Sequence, residues 1–153
     1  MKTSPSAWES DLEEKKRKEF RTLLTELEIA KERNQLGERE VLLDRNRQVY
    51  RFLEIKKEVI LPTLRSLMVD LDRKGHLTRL WEKTPEKVRF DVQIQSRVPK
   101  RGAIELSLHP TEPKLKVDYG WSSGTIENET YPLDKVESGF VTDRLMHLLR
   151  GLL

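Results

Sequence analysis

Three features of this 153-residue sequence predict an α+β fold. The first 61 residues are dense in charge and hold one glycine and one proline, as an exposed helix would. Beyond His76 the apolar period shortens to two, and beyond Asp134 helical spacing returns. The expected architecture is a long N-terminal helix or helical hairpin of coiled-coil-like character over residues 1–61. A small head domain over residues 62–153 follows, built from a helix, a four- to five-stranded antiparallel meander and a C-terminal helix.

The first helix is expected to begin at Ser6, whose hydroxyl can cap the first turn while Glu9 completes a capping box; Ser10 with Glu13 offers the same device a turn later. Leu12, Phe20, Leu23, Leu24, Leu27 and Ala30 then recur at three- and four-residue spacing along one side. Glu13 with Arg17 and Glu14 with Lys18 support the helix as i,i+4 pairs. Gly37 opens two readings. It can end a helix in a left-handed cap, so that the chain folds back as a hairpin. Alternatively the helix continues, and the row Phe20, Leu27, Asn34, Val41, Gln48, Ile55 forms a coiled coil with two polar core positions. The companion row of Gly37, Asp44, Arg51 and Glu58 is poor in apolar residues, which argues for a loose pairing rather than a strict zipper.

Apolar residues return from Val49 to Leu61, and Pro62 predicts a kink or a fresh helix start, because proline lacks an amide and crowds the preceding turn. Leu64, Leu67, Met68 and Leu71 keep the helical period, and Gly75 is the expected stop. Val88, Phe90, Val92 and Ile94 alternate with polar residues, as do Ile104, Leu106 and Leu108, and then Leu115, Val117, Tyr119 and Trp121. Each run predicts a strand with one buried side. Weaker strands are expected over 77–81 and 125–131. Turn residues fall at Thr84-Pro85-Glu86, Pro99-Lys100-Arg101-Gly102, His109-Pro110 and Ser122-Ser123-Gly124, and such short connectors imply a meander. The last helix should start at Asp134 or Ser138 and lid the apolar sheet face together with the helix from Pro62 to Lys74.

Twenty-nine lysines and arginines against 26 acidic residues leave a formal charge of +3, a weak pull toward anionic partners. The absence of cysteine removes disulfides, thiolate zinc sites and thiol nucleophiles. The first ten residues do not resemble a secretory leader, and no run is long and apolar enough to span a membrane, so a cytoplasmic protein without membrane contact is expected.

Asp70, Asp72, Gly75 and Leu77 fit four positions of a calcium loop, but Lys74 and Trp81 stand where oxygen ligands belong, so the segment reads as a helix-ending turn. His76, His109 and His147 lack metal-site spacing, and no nucleophile elbow, P-loop or dinucleotide motif occurs. No catalytic residue, metal or cofactor is therefore expected. The run Lys15, Lys16, Arg17, Lys18 is bracketed by Glu13, Glu14 and Glu19 and reads as a solvated face.

The function expected on these grounds is a non-enzymatic interaction and assembly module. Its N-terminal helices would self-associate, most simply as a homodimer, through Leu12, Phe20, Leu23, Leu24, Leu27, Ala30 and Val41, and its head would be presented to a protein partner. The alternative is a nucleic-acid-binding accessory protein that uses Arg97, Lys100, Arg101, Lys114 and Lys116 around the sheet. Against it, Phe90, Tyr119 and Trp121 fall in phase with the aliphatic residues and are expected in the core rather than as stacking platforms.

Overall fold

The computed structural model describes residues 7–153, with side chains from Asp11 onward. The capping boxes expected at Ser6 with Glu9 and Ser10 with Glu13 lie outside the described residues. The chain forms α1 (Ala7–Ile55), a π-helical turn (Lys56–Ile60) and α2 (Leu61–Arg73). Five strands follow: β1 (Leu77–Thr84), β2 (Lys87–Ile94), β3 (Lys100–Leu108), β4 (Lys114–Trp121) and β5 (Ile126–Pro132). A 3-10 turn (Leu133–Lys135) leads into α3 (Ser138–Arg150). The fold is α+β as the periodicities predict, and the chain divides into two compact units, residues 1–44 and residues 45–153.

Of the two readings at Gly37, the continuous helix holds: α1 runs through it without a break, and nothing lies within 4 Å of where its Cβ would stand. The weak helix propensity of one glycine is outvoted by the good helix formers on either side.

Pro62 is accommodated without a break in the chain of helices. The Leu61 amide donates to the Lys56 carbonyl, five residues back, and Pro62 then occupies the first turn of α2, where its missing amide costs nothing. Helix α2 ends where Gly75 predicts. Gly75 adopts φ 82°, its amide donates to the Asp72 carbonyl at 3.0 Å, and the His76 amide reaches the Leu71 carbonyl at 3.1 Å. That pair of bonds is a Schellman cap, so the calcium-loop resemblance resolves into a helix stop. Thr78 Oγ1 also donates to Asp72 at 2.6 Å, which occupies one of the carboxylates a cation would have needed.

The sheet is an antiparallel meander in the order β1-β2-β3-β4-β5. Its register places Val88, Phe90 and Val92 beside Leu106, Ile104 and Gly102, and these in turn beside Val117, Tyr119 and Trp121. All are buried, together with Leu64 from α2 and Val141, Leu145 and Leu148 from α3. The core also takes in Phe52, Ile55 and Ile60, N-terminal to Pro62. The helices thus lie on one side of the sheet and the other side is open, which gives the one-face-wet arrangement that the alternation implies.

One turn assignment is corrected. Lys100, Arg101 and Gly102 are not part of the turn but open β3, pairing with Ile94, Gln93 and Val92. Gly102 is small for packing reasons: a methyl there would stand 3.0 Å from Leu148 Cδ1. Gly151 is tighter still, since a methyl on it would overlap the Trp121 indole, whose Nε1 donates to the Leu148 carbonyl at 2.9 Å.

Candidate functional site

Three regions carry exposed or organised chemistry. The first is α1 from 11 to 44, where every residue is exposed. Phe20 is 63% exposed, Leu27 66% and Val41 71%, and Leu12, Leu23, Leu24 and Ala30 are also open. The structure therefore sets the seven expected self-association residues on uncovered helix surface. Thr22 and Thr25 donate to the Lys18 and Arg21 carbonyls, so their hydroxyls are spent on their own helix. A second apolar row, Ile29, Leu36, Leu43 and Tyr50, repeats every seven residues on another side of α1 and was not singled out from the sequence. Its signal was present but diluted, because the residues three and four farther on are Glu32 and Arg33, then Arg39 and Glu40.

The second region is the open face of the sheet. Asp91, Ala103 and Gly120 lie side by side across β2, β3 and β4 with Arg79 of β1 at the end of the row. Ala103 and Gly120 have almost no side chain, so the backbone itself floors a hollow of about 680 Å³ rimmed by Arg79, Arg89, Gln93, Arg101 and Ser122. Arg79 lies 4.2 Å over the Trp81 ring, whose Nε1 donates to Asp91 at 3.2 Å. Arg89 donates to Asp91 at 2.9 Å and to Glu105 at 3.1 Å, and Lys83 donates to Glu105 at 2.9 Å. Burial alone would raise the Glu105 carboxyl, but the hydrogen bonds from Lys83 and Arg89 outweigh it and hold the group below its ordinary range. Arg101 donates to Gln93 at 2.9 Å, an uncharged partner.

The five basic residues of the nucleic-acid alternative do not converge. Arg101 is on the rim of the hollow, and Lys100 begins the same strand. Arg97 is exposed in the β2–β3 loop. Lys116 and Lys114 lie toward the other end of β4, beside Asp118 and Glu112 respectively. Arg101 aligns next to Ser122, six residues from Lys116, which is ~20 Å along a strand. The acidic residues Asp91, Glu105 and Asp118 occupy the rows between. Phe90, Tyr119 and Trp121 are in the core as expected, whereas Trp81 lies on the open face. It was missed because β1 is short of apolar alternation.

The third region is the seam between β5 and α3. Tyr119 Oη donates to Glu129 at 2.9 Å, and Arg144 donates to the other oxygen of Glu129 at 2.9 Å. Burial first, and then the carboxylate of Glu129, push the Tyr119 hydroxyl above its ordinary range, so it stays a donor. His147 Nε2 is 2.7 Å from Glu127 and meets Tyr119 and Trp121 edge-on. These polar groups replace an apolar face on β5 and tie α3 to the sheet edge.

His76 Nδ1 accepts from the Gln95 amide, and His109 Nδ1 accepts from the Thr111 and Glu112 amides. Both act as turn residues. Among the described residues no group of three or more histidine, aspartate and glutamate side chains could hold a metal ion, and no helix is long and apolar enough to cross a membrane. No family model, no curated protein and no solved structure matches this chain.

Proposed function

We propose that the protein is a non-enzymatic assembly module that self-associates through residues 11–44 of α1 and presents its α+β head to a protein partner. The observation that carries this reading is the uncovered stripe of Leu12, Phe20, Leu23, Leu24, Leu27, Ala30 and Val41. An isolated helix in water is marginal unless an apolar side is buried, so a stripe of this length is expected to find another polypeptide. The head supplies the opposite character, a core of its own beneath an open sheet face.

The test is solution mass by light scattering on the full chain and on a chain lacking residues 1–44. Assembly of the full chain with loss of assembly on truncation is the expected result. A monomeric mass for each of the two chains would refute the proposal.

A second reading, nucleic-acid binding by the sheet, is favoured by one arrangement: Trp81 and Arg79 share the open face with Arg89 and Arg101. Aromatic rings beside guanidinium groups are the means by which sheets hold single strands. Binding of mixed-sequence oligonucleotides that weakens steeply with salt, and that falls on Trp81→Ala, would support it. No binding at low salt would remove it.

A further inference from the structure

We infer that the occupant of the α1 stripe is a second copy of this chain, running parallel and in register, with Asn34 facing Asn34 of the partner. This rests on the self-association reading above and adds to it an orientation and a register.

The argument starts from the row that carries the largest exposed residues. Placing Phe20, Leu27, Asn34 and Val41 at the first core position of successive heptads puts Leu23, Ala30 and Gly37 at the second, with Asp44 ending the apolar seam one heptad further on. In that frame the flanking positions on one side are Leu24, Lys31 and Glu38, and those on the other are Glu19, Glu26, Arg33 and Glu40. In a parallel pair each residue of the second set faces the residue five positions on in the partner. Glu26 then meets Lys31, and Arg33 meets Glu38, each pair occurring twice by symmetry. Both contacts join opposite charges, although the sign reverses from one heptad to the next.

Other arrangements fail on the same residues. Head-to-tail pairing with Leu27 opposite Gly37 and Asn34 opposite Ala30 sets Glu26 against Glu40 and Arg33 against its own copy. Sliding the two helices one heptad from there repairs those charges but places Leu27 opposite Asp44 and Phe20 opposite Arg51. A seam through Ile29, Leu36 and Leu43 would bring Glu32 and Arg39 into the core. The in-register parallel pair is the arrangement in which like apolar layers meet, Phe20 with Phe20 and Leu27 with Leu27. The single buried asparagine layer rewards that register, because each amide finds a partner there and none one heptad away.

The chain has no cysteine, which makes the test direct. Full-length protein carrying Ala30→Cys, which leaves Asn34 in place, should form an interchain disulfide under mild oxidation, since core positions in register bring the two Cα atoms within bridging reach. Arg39→Cys, on the outer side of the same helix, should remain reduced. In a second experiment Lys31→Glu should weaken the dimer roughly tenfold by setting two glutamates face to face, and Glu26→Lys in the same chain should restore it. A dimeric mass without the disulfide at position 30, or without recovery in the double variant, would overturn the parallel in-register geometry and leave self-association standing. A monomeric full-length protein would overturn both.

Discussion

The same run of helix behaves in two ways on either side of Arg45. From 11 to 44 every side chain of α1 is exposed, whereas from 45 to 73 the helix hands Phe52, Ile55, Ile60, Leu61 and Leu64 to the core. Apolar residues recur at helical spacing in both stretches. What separates them is supply of cover: the second stretch packs on a sheet whose strands alternate in phase, whereas the side chains of the first are exposed. Periodicity therefore specifies which side of a helix is to be buried without specifying what does the burying.

The contrast can be broken most sharply by removing one aromatic from each stretch. Phe52→Ala should cost the head about 3–5 kcal/mol in denaturant unfolding, the usual result of emptying a packed phenylalanine site. Phe20→Ala should leave the head's unfolding midpoint in place and change only the association equilibrium. A common loss of midpoint in both variants would show that the two stretches are one energetic unit.

Gly151→Ala sharpens the head's side of the comparison, because the added methyl must displace the Trp121 ring; a loss of about 1–3 kcal/mol is expected in the same experiment. Gly37→Ala, which meets open space, should do the reverse and raise helical content by circular dichroism, with about 1 kcal/mol gained for the helix. Lys56 is buried in the π-helical turn, where Nζ donates to the Pro85 carbonyl at 2.9 Å and lies 3.3 Å from Glu82. Lys56→Met keeps the stem and removes those contacts, so a loss of about 1–2 kcal/mol should appear in the head alone.

The smallest effect concerns pH. The Glu105 carboxyl is held below its ordinary range in the folded head, so its contribution is present above the ordinary glutamate range and is lost as pH falls through the depressed folded value. The stability gap between the natural protein and Glu105→Gln should accordingly narrow on acidification. A gap that stays constant with pH would mean that the Glu105 carboxyl is not depressed in the folded head.

Much of this was legible in the residues because local rules and packing agree there. Val88, Phe90 and Val92 alternate as a one-sided strand must, and Gly75 stops α2 through a left-handed residue that glycine accepts readily. Three features were hidden for identifiable reasons. Pro99-Lys100-Arg101-Gly102 has turn composition, yet Gly102 is there to admit Leu148 and the backbone is extended. The hollow over Ala103 and Gly120 depends on which small residues become neighbours across strands, and that is a matter of register rather than order. The Arg79, Trp81, Arg89, Asp91 and Glu105 array is likewise spread over β1, β2 and β3, so no contiguous motif announces it.

The wide turn at Lys56–Ile60 makes the rod a ruler with a splice in it. Upstream, counting by sevens tracks one side of the cylinder; downstream, the count resumes out of step. A π turn holds one residue more than an α turn over nearly the same sweep, so excising one residue from the splice would let it close as ordinary α-helix with Leu64 and Leu67 still facing the strands, whereas excising one from the regular helix beside it would swing them by about 100° around the axis. The splice thus stores a residue that its neighbouring turns could not lose or gain without turning the face.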